Sequence, residues 1–268
     1  VLLSGSGGDD IFSSYRRHKA LQMEKFLRIL PKEMIKTIAS LFGTLDQRVG
    51  FVRKSLKFLE NASIDGSQKL VNYFYWLNEE TTKSVYSSDV KMKLRRVNAA
   101  NPMLNFLNRF NGNISQLDRL LLLEQRFFLA DHNLIYTDKM SMVEGVETRV
   151  PFLDKNLVKF SRTIPTKYKQ NLWSEKWILK KTMEKSLPKK IIYRRKTGFG
   201  LPLRNWIRKD LRDLVNDHLN VTSLKRRGLF DPESVQKLIS DNQKGVQDSS
   251  YSIFALLCIE IWCQKFID

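Results

Sequence analysis

Val1-Leu2-Leu3-Ser4-Gly5-Ser6-Gly7-Gly8-Asp9-Asp10-Ile11-Phe12-Ser13-Ser14-Tyr15-Arg16-Arg17 decides the fold. The three apolar residues read as the last of a buried strand, residues 4–8 as a tight loop of small residues, and Ile11 to Arg17 as a helix with Asp9 or Asp10 near its N-terminus. A strand, a tight loop and a helix in that order belong to a parallel α/β sheet. That sheet needs upstream strands to complete it, and Val1 stands where a whole gene product would carry methionine. The chain is therefore expected to be a fragment, mostly helical, with a strand remnant at its N-terminus.

The same loop carries the first chemistry. Small residues let backbone N–H groups turn toward an anion, and the helix N-terminus behind them adds partial positive charge. No Lys-Ser/Thr pair follows the glycines, so this is not a Walker loop, and Asp10 stands where the dinucleotide fingerprint has its third glycine. A carboxylate beside phosphates repels them unless a cation lies between, which makes Asp9 or Asp10 a candidate magnesium ligand. A plain tight turn with a helix cap is the competing reading of these residues.

Working outward, residues 20 to 58 alternate apolar and basic positions at helical spacing, and the pattern predicts amphipathic helices interrupted near Pro31 and Gly43. Asn61 to Ser67 reads as a loop and Gln68 to Leu77 as a further helix. Leu117, Leu120, Leu121 and Phe128 form one apolar stripe, with a turn or helix start after Leu129. Ser174 to Leu187 reads as a helix with Leu179, Met183 and Leu187 on one face and Lys176 and Lys180 on another, ended by Pro188. The final segment, Ser252 to Phe266, is apolar nearly all round, which predicts burial.

Composition narrows the function classes. The 268 residues carry 46 Lys and Arg against 28 Asp and Glu, a formal charge of +18. Twelve of those basic residues, against the single acid Glu184, fall between Lys176 and Lys209. Such a cluster suits nucleotide phosphates as readily as a polynucleotide, and a nucleic-acid ligand has net charge alone in its favour, with no recognisable binding motif. His18, His132 and His218 sit in no ligand motif, which argues against a transition-metal site. Cys258 and Cys263 match neither a redox nor a zinc spacing and read as core thiols of a cytoplasmic protein. No apolar run reaches the roughly twenty residues of a membrane span.

Three further stretches carry candidate chemistry. Glu147-Thr148-Arg149-Val150-Pro151-Phe152-Leu153-Asp154 could be a buried Glu, Arg and Asp network holding a turn at Pro151. Lys176 is a lone helical lysine. Arg194-Arg195-Lys196-Thr197-Gly198-Phe199-Gly200-Leu201-Pro202 places a glycine-bearing loop behind three basic residues and reads as a flap that contacts phosphate.

In their order and spacing these stretches resemble the asparagine synthetase family. LSGSGGDDIFSSY resembles its small-residue and acid loop with a Phe-x-x-Tyr helix start; DKMSMVEGVETRVPFLD is close to its most specific stretch; EKWILKK, YRRKTGFGLPL and IFALLCIEIW resemble the elements that follow. The match runs from residue 1 to about 266. The resemblance implies an α/β parent fold of the ATP-pyrophosphatase (adenine nucleotide alpha hydrolase-like) type, with residues 1–268 as the C-terminal part of that domain. It also implies ATP and Mg2+. The aspartate side chain would be adenylated with loss of pyrophosphate, and ammonia from glutamine would then displace AMP to give asparagine.

By the same resemblance, Asp9 matches the magnesium-binding aspartate. Ser4, Gly5 and Gly7 match the loop around the adenylate; Gly8 of the same loop, and Lys196 and Gly198 of the flap read above, complete the candidate nucleotide-binding residues. Lys176 matches the catalytic lysine and Glu147 an active-site carboxylate. Ser6 stands where the family usually has the Glu or Asp credited with taking ammonia's proton, and a hydroxyl is a far poorer base. Ser6 therefore also admits a relative acting on a sugar acid, a peptide or a β-lactam precursor, or a non-catalytic member of the fold. The first phosphate motif and the N-terminal glutaminase domain lie outside these residues. That domain is an expected partner, and pairing through it into a homodimer stays open.

Overall fold

A computed structural model describes all residues except 28, 111, 113, 172 and 197–199. It divides into two compact units, each assembled from three separated stretches.

The first unit comprises Val1–Leu30, Asp65–Tyr73 and Ala100–Lys196. Its sheet is parallel, as the opening residues predict: β1 (Leu2–Leu3) lies beside β2 (Thr148–Arg149), with Leu2 opposite Thr148 and Leu3 opposite Arg149. The predicted burial of this strand is not found, since Leu2 is 58% and Leu3 75% exposed. Among the described residues the sheet has only these two strands, too few to be covered on both faces.

Gly7 ends the loop at φ +90° and starts α1 (Gly8–Phe12). The single helix expected from Ile11 to Arg17 is broken, because Ser13 turns left-handed at φ +66° and α2 (Arg16–Leu27) begins beyond it. Ile11, Phe12 and Ile164 form a small core, with Phe152, Leu157, Ile178 and Leu179 packed around it. The rings of Phe12 and Phe152 meet edge to face at 6.4 Å.

The stripe of Leu117, Leu120 and Leu121 is buried on the helix Gln116–Leu123. No turn follows Leu129. Residues Glu124–Leu134 continue as a π-helix and run directly into the helix Ile135–Val143. Closing each turn with an extra residue rotates the stripe, so Leu129 is buried while Phe128 is half-buried.

The helix expected over 174–187 is confined to Trp177–Met183. Lys176 precedes it in a left-handed conformation, φ +49°, so it does not lie on a basic helical face, and Leu187 falls beyond its end. The buried network expected at Pro151 is absent. Arg149 Nε donates to Glu147 Oε1 at 3.0 Å on the exposed surface, while Asp154 caps the helix Lys155–Thr163, accepting from the backbone N–H of Asn156 and Leu157.

The second unit comprises Pro31–Ile64, Phe74–Ala99 and Thr197–Asp268. Here α3 (Lys32–Gly43) and α4 (Gly50–Ala62) have the predicted interruptions. The loop expected over 61–67 contracts to residues 63–65, because α4 reaches Ala62, and a helix Gly66–Asn72 of the first unit replaces the one expected from Gln68. The last helix, Ser250–Phe266, buries one side through Ile253, Leu256 and Leu257. Phe254, Ile259, Trp262 and Phe266 on its other side are exposed, contrary to all-round burial. Cys263 is buried and Cys258 exposed, so only one of the two is a core thiol. Among the described residues no helix is long and apolar enough to cross a membrane.

Candidate functional site

The loop after β1 is shaped by what lies beneath it. A Cβ on Gly7 would stand 2.3 Å from Leu153 Cδ2, and one on Gly8 would stand 3.4 Å from the Phe152 ring. The short 3-10 turn Pro151–Leu153 is therefore the floor against which the glycines close. Gly5 faces nothing within 4 Å, which leaves its backbone accessible. Ser4 and Ser6 satisfy each other, with Oγ to Oγ at 2.9 Å and the Ser6 N–H donating to Ser4 Oγ at 3.2 Å.

Asp9, in the first turn of α1, is where the predicted site residues converge. Lys176 Nζ lies 2.5 Å from its Oδ1 and Lys196 Nζ 2.9 Å from its Oδ2. Ser14 Oγ donates to Asp9 Oδ1 and accepts from Lys196 Nζ at 2.8 Å, and the Lys196 ammonium lies 5.2 Å from the Tyr15 ring centre. Burial alone would raise the Asp9 pKa; the hydrogen bond and charge of Lys176, with Ser14 and Lys196, outweigh it and hold the carboxyl well below the usual range. Two ammonium groups around one carboxylate leave a net positive centre beside a loop in which the N–H groups of Gly5 and Gly7 have no acceptor among the described residues, while those of Ser4, Ser6 and Gly8 donate to Arg149 O, Ser4 Oγ and Gly5 O. An anion suits that place.

Lys176 is fixed through its backbone as well. Its N–H donates to Ser13 O at 3.1 Å, and these two are the positive-φ residues other than glycine among the described residues. Each such conformation costs about 1–3 kcal/mol and persists where its surroundings over-determine it.

Those surroundings are a buried polar layer. Glu124 is bound by Arg17 through Nε and Nη2 and by His18 Nε2 at 3.1 Å. Burial would raise the Glu124 pKa, yet these hydrogen bonds keep it low; burial lowers that of His18. Asp10 is 1% exposed, and among the described residues no cation is in contact with it. Burial, then the charges of Glu124 and Asp9, push its pKa up to about 7, against weak hydrogen bonds from Tyr15 Oη at 3.3 and 3.4 Å.

Whether these residues suit Mg2+ can be judged from Asp9 itself. Among the described residues no three His, Cys, Asp or Glu side chains gather as a metal cluster. One ionised carboxylate is still enough for an ion that keeps waters and takes phosphate oxygens, provided one ammonium yields its place.

The structure thus brings Asp9, Lys176 and Lys196 together at the loop of Ser4, Gly5, Ser6, Gly7 and Gly8. Glu147 stands apart from them: its carbonyl accepts from the Leu2 N–H, and its carboxylate is exposed and paired with Arg149. Gly198 lies outside the described residues. Sequence reasoning missed Ser13, His18 and Glu124, the last of them far along the chain from the other two, and gave Asp10 only as an alternative to Asp9 for magnesium, whereas the structure buries it. It also gave no role to the Ser14 hydroxyl.

A family model described as asparagine synthase matches residues 1–264. The chain is 24% identical over 269 residues to asparagine synthetase [glutamine-hydrolyzing] 1 of Bacillus subtilis, a match covering 98% of this chain and 40% of that protein. It is 23% identical over 284 residues to a putative asparagine synthetase [glutamine-hydrolyzing] of Mycobacterium tuberculosis, covering 100% of this chain and 40% of that protein. A rice protein, asparagine synthetase [glutamine-hydrolyzing] 2, is 31% identical over 112 residues, 38% of this chain. The chain spans about 40% of the length of the relatives that match it from end to end. No solved structure matches it.

Proposed function

Because the chain belongs to the asparagine synthase family, we propose that residues 1–268 are the C-terminal part of a synthetase domain that makes an amide from the aspartate side chain, ATP and ammonia released from glutamine. The observation that carries this reading is Asp9 held between Lys176 and Lys196 at the lip of the glycine loop. The parent fold would be the ATP-pyrophosphatase type, with its first phosphate motif and a glutaminase domain supplied from outside these residues. Pairing into a homodimer and a cytoplasmic setting belong to the same reading.

In the first step an oxygen of the aspartate side chain bonds to the α-phosphorus of ATP and the bond to pyrophosphate breaks. The N–H groups of Gly5 and Gly7 receive phosphate oxygens, and Lys176 and Lys196 neutralise the charge that gathers as the bond changes. Mg2+, with Asp9 as its ligand from these residues, would supply further neutralisation of pyrophosphate. In the second step ammonia bonds to the acyl carbon, AMP leaves with the oxygen, and the surplus protons on nitrogen must be taken up. Ser6, with its hydroxyl turned to Ser4, is a poor acceptor. Water, the substrate or Glu147 takes that part; in Glu147 one carboxylate oxygen, Oε1, is held by Arg149 Nε.

Ser6 also favours a second reading, an amide ligase of the same family acting on another carboxylic acid such as a sugar acid, a peptide or a β-lactam precursor. The test is exchange of labelled pyrophosphate into ATP by the complete gene product that carries this chain, with magnesium and aspartate. Aspartate-dependent exchange that disappears in Asp9→Asn and Lys176→Ala supports aspartate adenylation. Exchange with another acid and none with aspartate moves the assignment to the second reading. ATP binding without exchange for any acid points to a non-catalytic member of the fold.

A further inference from the structure

Ser13 joins two features that the proposed reaction does not explain by itself. Its backbone is left-handed, and its carbonyl holds the N–H of Lys176, whose backbone is left-handed too. Neither is glycine, so each conformation must be enforced by something around it. For Ser13 the enforcing contacts are at hand: its hydroxyl lies 3.1 Å from His18 Nδ1 and in contact with the side-chain amide of Gln170, and all three residues are at most 1% exposed.

When His18 is neutral, as its burial favours, the protons in this layer have one arrangement. Neutral His18 donates from Nε2 to Glu124, so Nδ1 accepts, and the proton it accepts is the single hydroxyl proton of Ser13. Ser13 Oγ then needs a donor from Gln170. As placed, Gln170 presents Oε1 to Ser13 while its Nε2 is buried without a partner. A half-turn of the amide swaps the two atoms, so that Nε2 donates to Ser13 Oγ and Oε1 takes the buried place in which no donor reaches it. The result is a one-way chain from Gln170 to Ser13, His18 and Glu124, ending on the carboxylate that Arg17 also binds.

We propose that Ser13 is a positioning residue for Lys176: the Gln170, Ser13, His18 and Glu124 chain locks the Ser13 backbone so that its carbonyl anchors the turn presenting the Lys176 ammonium to Asp9. The anchor works on the main chain, where Lys176 leaves the loop and the helix Trp177–Met183 begins. It rests on the reading of Lys176 as catalytic only for its effect on turnover; its effect on the place of Lys176 is independent of that.

The experiment uses Ser13→Ala and His18→Gln in the complete gene product, with Ser13→Gly as a further variant in which the left-handed backbone carries no steric cost. Two quantities are read: pyrophosphate exchange as kcat and KM, and the rate at which Lys176 is acetylated by trace acetic anhydride relative to exposed Lys189, by mass spectrometry. The expected result for Ser13→Ala and His18→Gln is a fall in kcat of about tenfold with KM for ATP within about twofold, as for an interaction used in the transition state. Lys176 acetylation should rise severalfold against Lys189. Ser13→Gly should lie between wild type and Ser13→Ala.

Folded Ser13→Ala and His18→Gln proteins with unchanged Lys176 acetylation and unchanged kcat would overturn the proposal. If Ser13→Ala does not fold, the same two readings on Ser13→Gly decide it, since an unlocked Ser13 must also release Lys176. Altered acetylation in a family member whose wild type shows no exchange would leave the anchor standing and remove the catalytic reading alone.

Discussion

At the scale of single residues, the site is governed by which side chains are forbidden and which charges are left unpaired. Gly7→Ala introduces a Cβ into Leu153 at a backbone φ of +90°, so a stability loss of about 2–4 kcal/mol is expected by chemical denaturation, with part of it recovered when Leu153→Ala is added. Gly5→Ala, which meets nothing within 4 Å, should stay within about 0.5 kcal/mol of wild type. Asp10 gives a pH signature. Its pKa rises from 3.8 to about 7 on folding, so the folded protein binds this proton more tightly. The stability it contributes is complete at acid pH and is lost as pH climbs from about 4 through about 7. Asp10→Asn should flatten that part of the curve, gaining on the order of 2–4 kcal/mol relative to wild type between those limits; parallel curves would show that Asp10 ionises freely. The convergence of Asp9, Lys176 and Lys196 was legible only through the resemblance, because no periodicity links residues so far apart. His18 and Glu124 were not legible at all, and Asp10 was legible only as a loop carboxylate, an alternative to Asp9 for magnesium. Each alone looks like an ordinary polar position on a helix, and only the folded chain shows that they share one buried layer.

At the scale of elements, apolar spacing located helices well and their ends poorly. Pro31 and Gly43 punctuate the chain as read, since they act through their own backbone. The spacing of Leu179, Met183 and Leu187 predicts one helix over the segment after Ser174. Spacing says nothing about the left-handed turn at Lys176, which comes from contacts with Ser13. The π-helix Glu124–Leu134 was misread as a break for a related reason, its wider turn shifting the apolar phase. The stretch Val150 to Asp154 owes its distinctiveness to two separate jobs. Phe152 and Leu153 floor the glycine loop, and Asp154 starts the next helix by accepting from the N–H of Asn156 and Leu157 at 2.9 and 3.0 Å. Asp154→Ala should cost about 1 kcal/mol in denaturant melts, and Asp154→Asn or Asp154→Ser much less, since either side chain can cap.

For the molecule as a whole, the charge of +18 sets conditions under which every local ion pair operates. Self-repulsion of that size works against compaction, and added salt screens it. Raising sodium chloride from about 0.02 M to about 0.5 M is expected to raise Tm by a few degrees; a fall would mean that pairs such as Asp9 with its lysines outweigh the repulsion. Fold class was legible as a parallel sheet among helices, from the opening strand, loop and helix. The division into two units was not, because each draws on three separated stretches and no linker composition marks the crossings. The pairing of β1 with β2 has a consequence for how the protein is made. Leu3 leaves the ribosome long before Arg149 does, and at about 5–20 residues per second the interval is on the order of ten seconds. Throughout it the first strand waits without its β2 neighbour, the glycine loop has no floor, and Asp9 has neither lysine. The site is therefore among the last parts of the nascent chain to take shape, although its signature is the first thing translated from these residues.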